Sequence, residues 1–428
     1  MPAQTKHLSG DDFLLRCARV FFFFGLLSMP WLVLRPVGSV AASDVLLILA
    51  AGLTALAPRR GLRARVSTAW AVGAGLVAVG GGLASSRADS ASISLLVAVR
   101  LLYLLLVFPW QTQRLLDSAS RLNLAISAFI LGAAVDAAFA LGQVKFGFPA
   151  FASAVPAGSG PGAALLYGRA LGLTGHPNDQ GGVLAVAAVL AVGRQMSAPH
   201  QRRKITLGFA LVIVMGLILS GSVTGMLAFL AGVAVYLSGR RITARGAVAT
   251  GGAMLIAYFG TTALQSAVIG GLTPLERFNQ ATGGGSVAGQ NTLLSRLDTD
   301  RIAISGIAKS PLIGRGLDAS SGTVNGLPTH NMFLLAWWQG GFLVLLGLLL
   351  AIGSSVRPSA LLSDRAGLDR VLWASFVAAI VYAMSAPVLY DRFFWLSAVL
   401  LFAARNIAAD QPLTPNATAR AVNTRGLT

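Results

Sequence analysis

Charge is what this chain has least of. Only 11% of its 428 residues are Asp, Glu, Lys or Arg, against roughly a quarter in a soluble domain whose whole surface must be solvated. Acids are scarcer still, 15 against 33 Lys and Arg. A single cysteine, Cys17, excludes an intramolecular disulfide, and at the edge of an apolar run it is expected to be inert. With four histidines, no His/Cys/Asp cluster has the spacing of a zinc site. No GxxxxGK[ST] phosphate loop occurs, and no serine stands in a nucleophile elbow. What remains is 55% hydrophobic, with 49 glycines and a mean hydropathy of +0.71. These values describe an all-α polytopic membrane protein.

Taken in order, residues 1–16 are polar and precede CARVFFFFGLLSMPWLVL. Asp11 and Asp12 spoil a signal-peptide n-region, so this run is expected to be an uncleaved first helix. Further spans are expected over 40–57, 66–84, 91–110 and 122–144, each near the ~20 residues that cross the hydrocarbon. A sixth follows GHPNDQGG, then 205–219, 223–237, 247–268, 330–353, 371–388 and a short core at 393–404. PRRGLRAR, HQRRK and RRITARG are short basic turns that all fall on one side, which predicts about twelve crossings with both termini in the cytoplasm. The formal net charge of +18 is therefore a topology signal rather than a mark of nucleic-acid binding. Residues 1–404 read as one transmembrane domain with outer loops at 145–177 and 270–329. Residues 405–428 read as a polar cytoplasmic tail, expected to be disordered; the NAT sequon at Asn416 lies on that tail and is discounted. Within the larger outer loop, Leu293, Leu297, Ile304 and Ile307 recur at helical spacing, predicting an amphipathic helix at the interface.

Two charges interrupt the spans, Arg100 in the fourth and Asp136 in the fifth. Mid-membrane charges are costly and should face a protein interior, in a functional or a structural pair. The other polar candidates collect on the outer face: Arg169, His176, Asn178 and Asp179 around the first outer loop, Arg296, Asp298, Asp300 and Arg301 on the amphipathic helix, then Arg315, His330 and Asn331, with Arg392 in the last hairpin. Arginine donates bidentately to phosphate oxygens and a neutral histidine accepts a proton near pH 7, so this set suits anion handling with a titratable base. The plainer alternative is interfacial anchors and helix-start hydrogen bonders. Asp298-Thr299-Asp300 has the DxD spacing of some metal sites, but flanking arginines can neutralise it, and no metal or other cofactor is expected. Trp337 and Trp338 read as packing or as walls of an acceptor groove.

RALGLTGHPNDQGG, SGSVTGMLAFL, SRLDTDRIAISGIAKSPLIGRGL and LPTHNMFLLAWWQGG together resemble the O-antigen ligase and polymerase superfamily of lipid-linked-glycan transferases, over nearly the whole chain. His330 and Gly341 enclose ten residues, which is similar to that family's His-x10-Gly signature. The resemblance implies metal-independent, inverting transfer from a polyprenyl-diphosphate-linked glycan to a glycan or lipid acceptor, among membrane lipids and other polysaccharide-assembly proteins. It implies that Arg296 contacts the diphosphate, that His330 activates the acceptor hydroxyl or assists the transfer, and that Arg169 is the arginine before the Pro177-Asn178 pair. Val223 stands where the family's Arg-x3-Leu pattern has its arginine, with Leu227 kept; Arg301, Arg315 and Arg392 are the candidate replacements. Two other classes compete. A flippase or anion transporter would place its key charges along a midplane path, as Arg100 and Asp136 could form, and a non-catalytic envelope-assembly partner would need no intact site.

Overall fold

The computed structural model describes residues 10–34, 40–57, 66–148, 165–166, 169–197, 203–238, 292–318, 323–324, 327–355 and 367–409. The span expected over 247–268, the stretch LERFNQATGGGSVAGQN and the tail beyond Ala409 lie outside these residues. Among the described residues the regular structure is helical apart from two short antiparallel ladders. We number the helices α1 (Gly10–Ser28), α2 (Ala42–Leu56), α3 (Thr68–Ser85), α4 (Ala91–Leu115), α5 (Ala119–Phe146), α6 (Pro177–Ser197), α7 (Arg203–Leu219), α8 (Val223–Ser238), α9 (Thr292–Lys309), α10 (Met332–Ser355), α11 (Gly367–Ala383) and α12 (Arg392–Ala409). Of the described helices, α3, α4, α5, α10 and α12 are long and apolar enough to cross a membrane. The shorter α2, α7 and α8 are apolar as well.

Local chemistry sets several ends. Helix α1 starts at Gly10, well before the apolar run at Cys17, and it stops before Pro30. Helix α6 starts at Pro177, so the Pro-Asn-Asp stretch expected to close a loop is its first turn; proline at the start of a helix loses no intrahelical bond. In α4 the residues Tyr103–Val107 are π-helical. Pro109 has no N–H for the Leu105 carbonyl one turn back, and the buried Trp70 indole supplies the missing donor at 2.6 Å. Helix α12 lies in the centre of the bundle: Phe393 to Val399 are all buried, with Arg392 beside them ion-paired to Asp44 of α2.

Helix α10 is broken at Gly341, whose φ of 72° and ψ of −174° are open only to glycine. The cause is a strap formed by residues 311–316. A Cβ on Gly341 would lie 2.2 Å from the Leu312 carbonyl oxygen. The break frees backbone groups that the strap takes up: Phe342 N–H donates to Pro311 O at 2.9 Å, Gly316 N–H to Gln339 O at 2.9 Å, and Arg315 N–H to Trp338 O and Gln339 O at 3.1 Å. Beyond the break, α10 packs on α3 through facing glycines; Cβ atoms on Gly73 and Gly347 would each meet the other's carbonyl at about 2.5 Å.

Helix α9 packs along the first turns of α10 rather than lying apart from it. Gly306 faces the Trp338 indole, and further along, the Pro311 carbonyl accepts the Trp337 indole N–H at 2.9 Å. Of the expected apolar face, Ile307 is buried against α10 together with Thr299, Ala303 and Gly306, while Leu297 and Ile304 are exposed; the side chain of Leu293 lies outside the described residues. Trp338 is buried in this packing and Trp337 is half-buried beside it.

Candidate functional site

Small residues bring the amino ends of α6 and α8 together. A Cβ on Gly225 would lie 2.7 Å from the Gly181 carbonyl, and one on Gly181 would lie 2.2 Å from the Ser222 Cβ. The next glycine, Gly182, makes room for Tyr382 of α11, whose ring lies 2.3 Å from where its Cβ would be. The glycines of NDQGG and SVTGM are thus packing surfaces that hold two helix starts and one phenol side by side. The Tyr382 hydroxyl donates to the Asn178 carbonyl at 2.5 Å.

Polar side chains from four further segments close on this platform. Arg169, in the ladder Leu165–Leu166/Arg169–Ala170, donates through Nε to Ser220 O at 2.8 Å and through a terminal nitrogen to Asn178 Oδ1 at 2.6 Å. It thereby reaches the α7–α8 turn just before Val223, the position at which the sequence pattern lacks an arginine. Arg296, in the first turns of α9, donates to Thr224 Oγ1 at 3.3 Å. Ser385 donates to the same Thr224 oxygen at 2.8 Å, so the residue after Val223 ties α9, α8 and the end of α11 together.

His176 precedes α6 with its ring at the surface. Its Nδ1 accepts the Asn178 N–H at 3.2 Å, which places the proton of the neutral ring on Nε2. Loss of hydration, followed by the charges of Arg169 and Arg296, lowers its pKa to about 4. His176 is therefore a neutral donor at pH 7 and not the titratable base that its residue type suggested. Burial also lowers the pKa of Arg296 and raises that of Asp300, whose charge opposes it. In the last hairpin, burial and then the like charge of Asp179 raise Asp391 to about 7, against the pull of Arg100.

The candidates therefore separate into groups. Arg169, His176, Asn178 and Arg296 come together. His330 stands half-buried just before α10. Asn331 is the cap of α10: its Oδ1 accepts the N–H groups of Phe333 at 2.9 Å and Leu334 at 3.2 Å. Arg301 is exposed and pairs with Asp298 at 3.4 Å. Arg315 belongs to the strap at the α10 break. Arg392, buried and paired with Asp44, ties α12 to α2.

The pairing of Arg100 with Asp136 is also corrected. Arg100 donates to the Tyr390 carbonyl at 3.2 Å. The buried Asp136 accepts the Leu173 N–H and abuts Gly172, whose φ of 57° lets the loop turn over the carboxylate. Sequence reasoning missed Thr224, Tyr382 and Ser385, because hydroxyls in apolar helices carry no spacing signal. Among the described residues no group of three or more His, Cys, Asp or Glu could hold a metal ion. No family model, curated protein or solved structure matches this chain.

Proposed function

We propose that the chain is a multi-pass membrane glycosyltransferase that polymerises or ligates a polyprenyl-diphosphate-linked glycan in envelope or exopolysaccharide assembly. It works on the face opposite the basic turns, which is the outer face of the cytoplasmic membrane if both termini are inside. Twelve crossings, with 247–268 as the ninth, belong to this proposal. The observation that carries it is the convergence of Arg169, Arg296 and a neutral His176 on the paired amino ends of α6 and α8. Two guanidinium groups and two helix starts make a site for an anion with several oxygens, and the surrounding apolar helices suit its lipid tail.

The chemistry follows from the groups present. The acceptor hydroxyl attacks the anomeric carbon, the bond from that carbon to the diphosphate oxygen breaks, and its electron pair leaves on the diphosphate. Arg169 and Arg296 meet the charge that develops there, in a setting with little water to screen it. His176 adds a donor from Nε2. In this proposal the acceptor's proton passes to the imidazole of His330, a residue type suited to a general base. No metal ion is required where two guanidiniums neutralise the leaving group. A transport path through Arg100 and Asp136 draws no support from their hydrogen bonds, which are made to separate backbone segments.

The test is reconstitution of the purified chain with a polyprenyl-diphosphate-linked oligosaccharide, scoring product length and release of the lipid diphosphate. Arg296→Ala and His330→Ala are expected to abolish transfer while leaving membrane abundance unchanged. Wild-type transfer by both variants would sink the proposal. Long ladders identify a polymerase and single-step transfer identifies a ligase.

A further inference from the structure

The segment from Leu171 to Gly175 is buried without being helical, a combination that a membrane protein tolerates only where other groups take up the backbone. Helix α5 supplies those groups. Asp136 and Gln143 stand seven positions apart, two helical turns, and so share one face of α5. Gln143 Oε1 accepts the N–H groups of Leu171 at 3.1 Å and Gly172 at 2.9 Å, and Asp136 Oδ1 accepts that of Leu173. Between the two, Ala140 packs with Ala170 and Leu219. Three consecutive N–H groups thus end on two side chains of one helix.

Both side chains are buried, and among the described residues Asp136 has no ion pair. A carboxyl group within a span is costly. Here it holds a loop that has a candidate donor-site residue at each end, Arg169 before it and His176 after it. The Thr174 hydroxyl ties the second end to the first, donating to Leu171 O at 2.9 Å and to His176 O at 3.1 Å. The Val33 N–H braces the loop from the side, donating to Leu173 O at 3.0 Å.

We infer that Asp136 and Gln143 are positioning residues of the donor site, an assignment that rests on the proposed function: from inside the bundle they fix the loop whose two ends aim Arg169 and His176 at the diphosphate. This role needs an acceptor oxygen at each of the two places. It does not need a charge at Asp136, whereas a transport path would.

The test uses the full-length protein in nanodiscs and reads hydrogen exchange of peptides spanning 169–176 together with binding of polyprenyl diphosphate, the leaving group of the proposed donor. Asp136→Leu and Gln143→Met each remove one acceptor side chain, at separate places on α5. Each should speed exchange about tenfold and weaken polyprenyl-diphosphate binding about tenfold, the order expected when a buried N–H loses its partner. Asp136→Asn keeps an acceptor oxygen and should return both readings to within about threefold of wild type. The loss should also run through the ends of the loop. In an Arg169→Ala, His176→Gln background, Asp136→Leu should weaken binding by less than about twofold more, whereas general loosening of the bundle would cost the same factor again.

Wild-type exchange in both Asp136→Leu and Gln143→Met would show that the loop is held without α5, and overturns the inference whether or not the chain is a transferase. Faster exchange with unchanged binding overturns it too, as does a full second loss in the Arg169→Ala, His176→Gln background. Asp136→Asn binding as poorly as Asp136→Leu would assign Asp136 a role for its charge and overturn it equally. A wild-type chain that neither transfers glycan nor binds polyprenyl diphosphate overturns the proposed function and the inference with it; a wild-type chain that does both, beside variants that bind normally, overturns the inference alone.

Discussion

Replacing Gly341 by alanine tests how far the break in α10 is imposed by the strap over it. At φ 72° and ψ −174°, an L-residue is strained by about 1–3 kcal/mol. The added Cβ would also lie 2.2 Å from Leu312 O, so residues 311–316 must lift. Lifting endangers the bonds from Phe342 N–H, Arg315 N–H and Gly316 N–H, each worth roughly 0.5–1.5 kcal/mol. Together these effects predict a loss of about 3–6 kcal/mol. The control lies on the same helix. A Cβ on Gly353 meets nothing within 4 Å, so Gly353→Ala should be neutral or stabilising by up to about 1 kcal/mol through helix propensity alone. Thermal unfolding of both variants in one detergent is the assay. Gly341→Ala should also lower glycan transfer, since the strap fixes α9 and with it Arg296. If Gly341→Ala unfolds within about 0.5 kcal/mol of Gly353→Ala, far below the predicted loss, α10 can straighten at little cost and the strap does not hold the break.

Thr224→Val keeps the shape of the side chain but removes the acceptor shared by Arg296 and Ser385; transfer should fall about fivefold, the worth of one hydrogen bond, and Thr224→Ser should restore it. Arg296→Lys should cost more, tenfold or beyond, because an ammonium cannot reproduce bidentate donation to a diphosphate. A full-rate Arg296→Lys enzyme would refute that contact. With its pKa lowered to about 4, His176 stays neutral from pH 8 down to about 5, so donor binding should show no step from His176 there; a step near pH 6.5 that vanishes in His176→Gln would show that the ring is hydrated and charged normally. Asp391 is displaced in the opposite sense. Its folded-state pKa of about 7 lies above the ordinary carboxylate value, so its contribution to stability is complete below about pH 4 and is lost as pH rises through 7. Asp391→Asn should therefore flatten the fall in unfolding temperature between pH 5 and 8 and be more stable than wild type at pH 8, by a few kcal/mol at most; an unchanged pH profile would show that the carboxyl is not buried with Asp179.

The segments expected over 40–57, 66–84, 205–219 and 223–237 coincide within a few residues with α2, α3, α7 and α8, because long apolar runs bounded by charge have one cheap conformation in lipid. The hidden features are those whose cause is a tertiary partner. Gly341 reads as one more glycine in a glycine-rich span until the carbonyl of Leu312 is placed against it. The contact of Ala303 and Ile307 of α9 with Trp338 depends on an indole of another helix. Arg392 looks like a free outer cation because Asp44, its partner, is far away in sequence. Arg169 and Arg296 were legible as cations on one face, but their common anchor on the α6–α8 platform was not. It depends on Gly181, Gly182 and Gly225, residues that carry no charge at all.

That platform explains how a site could tolerate valine where a phosphate-binding arginine is expected. The first N–H groups of a helix lack intrahelical partners and carry the positive end of its dipole. Here the starts of α6 and α8 are fixed in contact by Gly181 and Gly225, and Arg169 reaches across from the preceding ladder to Asn178 and Ser220, bridging both starts. On the proposed function, the cation beside Val223 is Arg169, from the segment before α6 instead of from α8 itself. Arg301 pairs with Asp298 and Arg392 with Asp44. If Arg169 does replace the missing side chain, Val223→Arg should relieve its loss: Arg169→Ala should abolish transfer in the wild-type background and be partly rescued when combined with Val223→Arg. Failure of the double variant to recover, with both single variants normally inserted, would separate the two positions and leave Arg169 as a brace of the α7–α8 turn.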